Sequence, residues 1–261
     1  MTSSFRTAVS AELLKCRRSR IPLVTAAVVI FAAGIGIMFM LILRNPGGSQ
    51  QFGVLAQKAQ MSGLSADWTS LLTFITQVVA VGGSMIFAFV AIWVFGREFS
   101  DGTARYLLAL PVPRRSIVLA KFVIIFAWCL ALTALMLLVT AGLGFAIGLA
   151  GASPEILVAG SARSLLAAVL IILAICPLAY VASRARGYLA ALASALILLV
   201  IAQIAAALQL GEYFPWSIPA VAAGLVPGAQ FGALPLLIEV ATGLIGAAVT
   251  FKWWLGGDVG L

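Results

Sequence analysis

The chain has 261 residues, 63% of them hydrophobic and only 9% charged, whereas soluble domains run at about 45–50% apolar and about 25% charged. That balance excludes a water-soluble globular domain and puts the chain among polytopic membrane proteins. There is no histidine, which excludes His-ligated haem or metal and His-based acid–base catalysis. The net charge of +8 sits beside the apolar runs, so it reads as membrane topology and not as nucleic-acid binding.

Residues 1–20 are expected to form an amphipathic helix in the cytoplasmic membrane interface. Phe5, Val9, Leu13 and Cys16 share one stripe, and Arg6, Lys15, Arg17, Arg18 and Arg20 supply basic charge. Residues 21–261 are expected to form one membrane domain of six spans: 21–43, 71–95, 121–149, 164–182, 188–208 and 233–254. Each reaches the roughly 20 residues that a bilayer core requires. The apolar runs are continuous and not alternating, so the fold class is all-α and not a barrel. With the N-terminus inside, every one of the 16 basic residues except Arg44, Lys58 and Arg163 falls on the inner side. Both termini are therefore expected in the cytoplasm of a bacterial cell, the chain being multi-pass in the cell membrane. No cleavable leader is expected.

Residues 44–70 read as a flexible or partly helical outer cap. Between Pro215 and Pro227 lies an apolar stretch too short to span, headed by Tyr213, Phe214 and Trp216. It reads as an outer interfacial or re-entrant piece, and a short helix dipping in from outside is the favoured form. Gly144 and Gly148 form a small-xxx-small face for close helix contact. Pro177 frees the Leu173 carbonyl and should kink the fourth span.

Few residues offer chemistry. Glu239 is an acid inside the last span, where burial is costly: it either binds a cationic substrate group on a substrate path, relays a proton or pairs with another chain, or it reaches the outer headgroups or bonds a neighbouring hydroxyl or amide. Gln77 and Gln203 are weaker examples that also serve as packing contacts. Cys129 and Cys176 act as small hydrophobes, with no metal spacing among the cysteines. The chain contains no Gly-x-x-x-x-Gly-Lys-Ser/Thr, hence no nucleotide loop and no ATP or Mg site of its own. It is not expected to be an enzyme.

The most charged stretch is 95–121, which holds Arg97, Glu98, Asp101, Arg105, Arg114, Arg115 and Lys121. A polar turn at 100–103 precedes a half-apolar helix over 104–110, whose Tyr106, Leu107 and Leu110 have no core of their own to enter. Lying flat on an anionic lipid surface would explain the arginines but gain nothing for Glu98 and Asp101. A docking element for another protein accounts for both signs of charge.

The residues Phe95-Gly-Arg-Glu98-Phe, Gly102-Thr103, Leu107-Leu108-Ala-Leu-Pro111, Pro113-Arg114 and Ala120-Lys121, with Pro215-Trp216-Ser-Ile-Pro219 before the last span, carry a resemblance. The chain resembles the permease subunits of type-2 ATP-binding-cassette exporters, in the branch that includes bacitracin and lantibiotic exporters. The resemblance implies a separate ATP-binding subunit that holds ATP and Mg. It also implies a second permease subunit, identical or sibling, and a short cytoplasmic coupling helix after span two seated in a groove of the ATPase. Carried onto this sequence, Arg97, Glu98, Asp101, Gly102 and Thr103 are the ATPase-coupling candidates. Glu239, Gln77, Gln203 and Trp216 are the candidates for a substrate path, with a peptide antibiotic, drug or other amphipathic compound as cargo. A secondary transporter and a non-transporting anchor or sensor subunit are the alternatives.

Overall fold

The structure is a computed structural model that describes residues 2–45, 64–104 and 112–256. Eight α-helices carry the described chain: α1 (Thr2–Arg18), α2 (Ile21–Arg44), α3 (Trp68–Ser100), α4 (Arg114–Ala146), α5 (Pro154–Arg184), α6 (Leu189–Ala207), α7 (Ile218–Ala222) and α8 (Ala233–Leu255). Six of them, α2 to α6 and α8, are long and apolar enough to cross a membrane. The all-α membrane fold is therefore as expected. The outer cap expected over 44–70 and the coupling helix expected over 104–110 lie mostly outside the described residues.

Three of the spanning helices outrun the expected bounds. α3 and α4 each hold 33 residues and α5 holds 31, about 46–50 Å of axis against an apolar slab of about 30 Å. Side-chain caps set the starts of α3 and α5, whereas α4 starts after Pro113 with no side-chain cap. Asp67 caps α3 by accepting from the Ser70 amide at 2.8 Å. Ser153 caps α5 by accepting from the Ile156 amide at 3.2 Å, with Pro154 in the first turn. α4 starts at Arg114, so Lys121 is two turns inside it and not at its mouth.

α3 and α5 form the interior of the bundle: 61% and 56% of their most apolar windows are buried, against 22% for α6. α6 instead presents Leu196, Ile197, Val200, Ile201 and Ile204 outward. α3 contains one π turn, Val79–Gly83, in an otherwise α-helical rod. Its far end is fixed by the buried Trp68, whose indole Nε1 donates to the Leu149 carbonyl at 3.1 Å. Gly144 accommodates the same ring, since a Cβ there would stand 2.7 Å from it. Gly148 does not join this contact; it has φ +62° and nothing near it, and it closes the end of α4. The expected glycine pair is thus one packing residue and one cap.

The tightest helix crossing joins α5 and α8. A Cβ at Gly246 would lie 2.5 Å from the Pro177 nitrogen, and one at Gly243 would lie 2.6 Å from Leu173. The buried face of α8 runs Pro235, Glu239, Gly243, Gly246, Thr250 and Trp254, a stripe mostly of small residues that lets the backbones meet. At its end the Trp254 indole donates to Ser183 Oγ at 3.1 Å. α7 is also drawn in: Trp216, Ile218, Pro219 and Val221 are buried, and Trp216 Nε1 donates to the Ala174 carbonyl at 3.1 Å.

α1 packs along α4. Its buried residues are Ala8, Glu12 and Cys16, whereas Leu13 is 48% exposed. The inward stripe is therefore rotated from the expected Phe5–Val9–Leu13–Cys16 line, because an acid, Glu12, is what faces the bundle.

Candidate functional site: a buried charge cluster and two polar cavities

Glu12 and Lys15 of α1 meet Glu98 at the end of α3 and Lys121 of α4. Lys15 Nζ lies 2.6 Å from Glu12 Oε1 and 2.8 Å from Glu98 Oε1. Lys121 Nζ lies 2.7 Å from Glu98 Oε1 and 3.4 Å from Glu12 Oε2, and donates to the Val94 carbonyl at 2.7 Å. These three acceptors match the three ammonium donors of Lys121. Two carboxylates and two ammoniums leave no net charge, which is how a lysine with no exposed surface is tolerated there. Burial pulls the Lys15 pKa down, but the Glu98 and Glu12 carboxylates outweigh it and hold this lysine above its ordinary value. Burial likewise pushes the neighbouring Cys16 thiol up, so it is an inert packing group.

The expected coupling residues separate into two groups around this cluster. Glu98 points inward and is 3% exposed; its Oε1 serves the chain's own Lys15 and Lys121, while Oε2 has no hydrogen-bond partner among the described residues. Arg97 ties α1 to α3: its guanidinium donates to the Lys15 carbonyl at 3.3 Å, sits 5.0 Å from the centre of the Trp93 ring and lies 3.5 Å from Asp101. Asp101, Gly102 and Thr103 are exposed. They make a helix-ending loop in which the Thr103 amide donates to the Glu98 carbonyl at 2.8 Å and the Gly102 amide to the Phe99 carbonyl at 3.3 Å. The φ of +67° at Gly102 is what closes this turn, and only glycine adopts it without strain. The tip is thus rigidly joined to the cluster beneath it. Phe95 and Phe99 pack on Trp254, and Arg114 donates to the Trp254 carbonyl at 3.4 Å, which brings the end of α8 into the same assembly.

Sequence reasoning missed Glu12, gave Lys15 a topological role only and counted Lys121 in the docking stretch at the mouth of its span. The available signal was a lone acid in an otherwise basic leader, and a lysine that has to be satisfied once a helix starting at Arg114 carries it into the bundle.

The expected substrate-path residues do not converge. Gln77 lines a cavity of about 390 Å³ near one end of the bundle, with Thr69, Thr73, Gly160 and Arg163. Gln203 and Trp216 line a second cavity of about 150 Å³, walled by Ala80 and Val81 of the π turn and by Ser84. Glu239 lines neither. It is fully buried on the α8 stripe, and among the described residues neither carboxylate oxygen has a hydrogen-bond partner of good geometry. With no exposed surface it does not touch a headgroup, one of the roles expected for it.

The family model described as "ABC-2 family transporter protein" matches residues 8–202. The chain belongs to the ABC-2 transporter family. The match runs from α1 through most of α6 and takes in all four members of the charge cluster, but ends before Trp216 and Glu239. A bacitracin transport permease protein from Bacillus licheniformis is 23% identical over 186 residues, covering 70% of this chain and 88% of that protein. No solved structure matches the chain. With six helices long and apolar enough to cross a membrane, this ABC-2 member is a multi-pass membrane protein and a permease component of a transporter. ABC-2 permeases in general work with an ATP-binding subunit.

Proposed function

We propose that this chain is the membrane-spanning subunit of an ATP-driven exporter. A separate ATPase carries the ATP and Mg and docks at the Asp101–Thr103 tip and the segment that follows it. A second permease subunit completes the path. The end bearing the charge cluster faces the cytoplasm, in keeping with the bias of basic residues toward that end. The cargo is a peptide antibiotic or a comparable amphipathic compound, the reading suggested by the likeness to a bacitracin permease.

The observation that carries this reading is the cluster of Glu12, Lys15, Glu98 and Lys121. It binds the interfacial helix α1, the end of α3 and the start of α4 into one body directly behind the exposed tip. A push on the tip is then delivered to two spans and α1 together and is not lost in a loose loop. Gln203 and Trp216 in one cavity, Gln77 in the other and Glu239 at the α5–α8 crossing are the groups that such a movement would expose to cargo.

The test is reconstitution in proteoliposomes with the partner ATPase. Cargo-stimulated ATP hydrolysis should require this chain, and Asp101→Ala with Thr103→Ala should weaken ATPase association without changing the melting temperature. Transport by the purified chain alone, or an ATPase that binds the doubly substituted chain as tightly as the natural one, would overturn the proposal.

A further inference from the structure

The cavity of about 390 Å³ holds a cation that nothing in the coupling mechanism uses. Arg163 of α5 lines it and is exposed, and among the described residues it makes no ion pair. On α5, Glu155 is the nearest acid; it lies eight residues earlier, about 12 Å along the axis. The amide of Gln77 lines the same space, and among the described residues it makes no hydrogen bond. Thr76 does not compete for it, because its hydroxyl is held by the Leu72 carbonyl and Ser164 Oγ, both at 2.8 Å. The wall is well fixed: a Cβ at Gly160 would meet Leu72 at 2.6 Å, so α3 and α5 touch beside the opening.

Available donors without an acceptor define an anion site, and a guanidinium fork matches the paired oxygens of phosphate. The volume falls within the range of ligand pockets, about 300–1,000 Å³. Arg163 also stands where α5 enters its apolar stretch. Leu166, one turn further in and on the same face, is 41% exposed. A charged group at Arg163 therefore sits directly above a surface suited to a hydrocarbon tail.

The geometry points to a binding site for the phosphate group of an amphiphile, with Arg163 on the phosphate, Gln77 as second donor and the tail lying down α5 past Leu166. The site stands whether or not an ATPase drives the chain.

The experiment uses the full chain in detergent micelles and phosphatidylglycerol carrying a photoreactive group beside its phosphate. Cross-linking should fall within 154–163 and should decrease about tenfold or more in Arg163→Gln. Arg163→Lys should retain part of it, and both variants should melt with the natural chain, since the side chain is exposed. Diacylglycerol, which lacks the phosphate, should not compete. Competition by inorganic phosphate would show that the anion alone suffices; failure to compete would assign the site to a lipid-borne phosphate. Absence of labelling in this segment, equal labelling of Arg163→Gln, or displacement by diacylglycerol as effective as by phosphatidylglycerol would overturn the inference.

Discussion

The ammonium of Lys121 lies 2.7 Å from Glu98 Oε1, inside the protein and between two helices, with no solvent reaching the lysine. Breaking such a pair leaves an uncompensated buried charge, which costs about 3–5 kcal/mol, whereas removing both partners costs far less. Lys121→Met should therefore lower stability by about that amount. Adding Glu98→Gln should restore a large part of it, read as a coupling energy in a double-mutant cycle of thermal melts. A Lys121→Met chain that melts with the natural one would show that the cluster does not hold α1, α3 and α4 together.

The α5–α8 crossing allows a sharper steric test. Gly246→Ala puts a methyl 2.5 Å from the Pro177 nitrogen, a backbone-level clash that only helix separation relieves. The expected loss is about 1–3 kcal/mol. Gly142→Ala on α4 meets nothing within 4 Å and should be neutral or stabilising by up to about 1 kcal/mol. Equal melting temperatures for the two variants would contradict the close approach.

Asp67 governs the start of α3. Partial burial raises its carboxyl pKa, but hydrogen bonds from Ser65, Ser70 and Thr69 more than offset this, and the net direction is downward from 3.8. A carboxylate favoured by folding contributes stability that is fully present above its unfolded value and is lost as pH falls through the lowered folded value. Asp67→Ala should therefore cost about 1 kcal/mol at neutral pH. The gap between the two melting curves should begin to narrow below about pH 4 and be gone only once the pH lies below the lowered folded value. A gap that persists in acid would assign the loss to something other than the charged cap.

Glu239 should be dispensable for stability. Among the described residues neither carboxylate oxygen has a hydrogen-bond partner to lose, so Glu239→Gln should melt at or above the natural temperature. If the residue serves the cargo path, the same variant should alter export of a cationic compound. Transport indifferent to Glu239→Gln would remove it from the path, and a large drop in melting temperature would reveal a partner that the fold assigns to it.

The six spans were legible because lipid demands long uninterrupted apolar runs, and this chain has six. The helix ends were less so. Ser153 and Asp67 extend helices past the apolar stretch through hydrogen bonds that hydropathy does not register. The charge cluster was half visible: Glu98 stood out as an acid in a basic segment, but its partners come from positions 83 and 23 residues away. A one-dimensional pattern carries no information about which lysine crosses to which acid, so Glu98 read as a surface contact when it is an internal one. Pro177 stood out in the sequence as an interior proline of α5, but its use as the seat for Gly246 required the fold. The stretch between Pro215 and Pro227 read as a short helix dipping in from outside; it contains the short helix Ile218–Ala222, and the preceding Trp216 indole is anchored on α5.

The π turn at Val79–Gly83 means that α3 carries one residue more than a regular α-helix of the same reach. Losing a single residue within that turn would let the rod heal into plain α-helix, with Trp68 and Glu98 still on their proper sides. Losing one anywhere else in α3 would swing everything beyond the cut by about 100°, aiming Glu98 away from Lys121 and Lys15. Evolution therefore has one place in this rod where length is negotiable, and a scan of single-residue deletions should find it as a lone tolerant window.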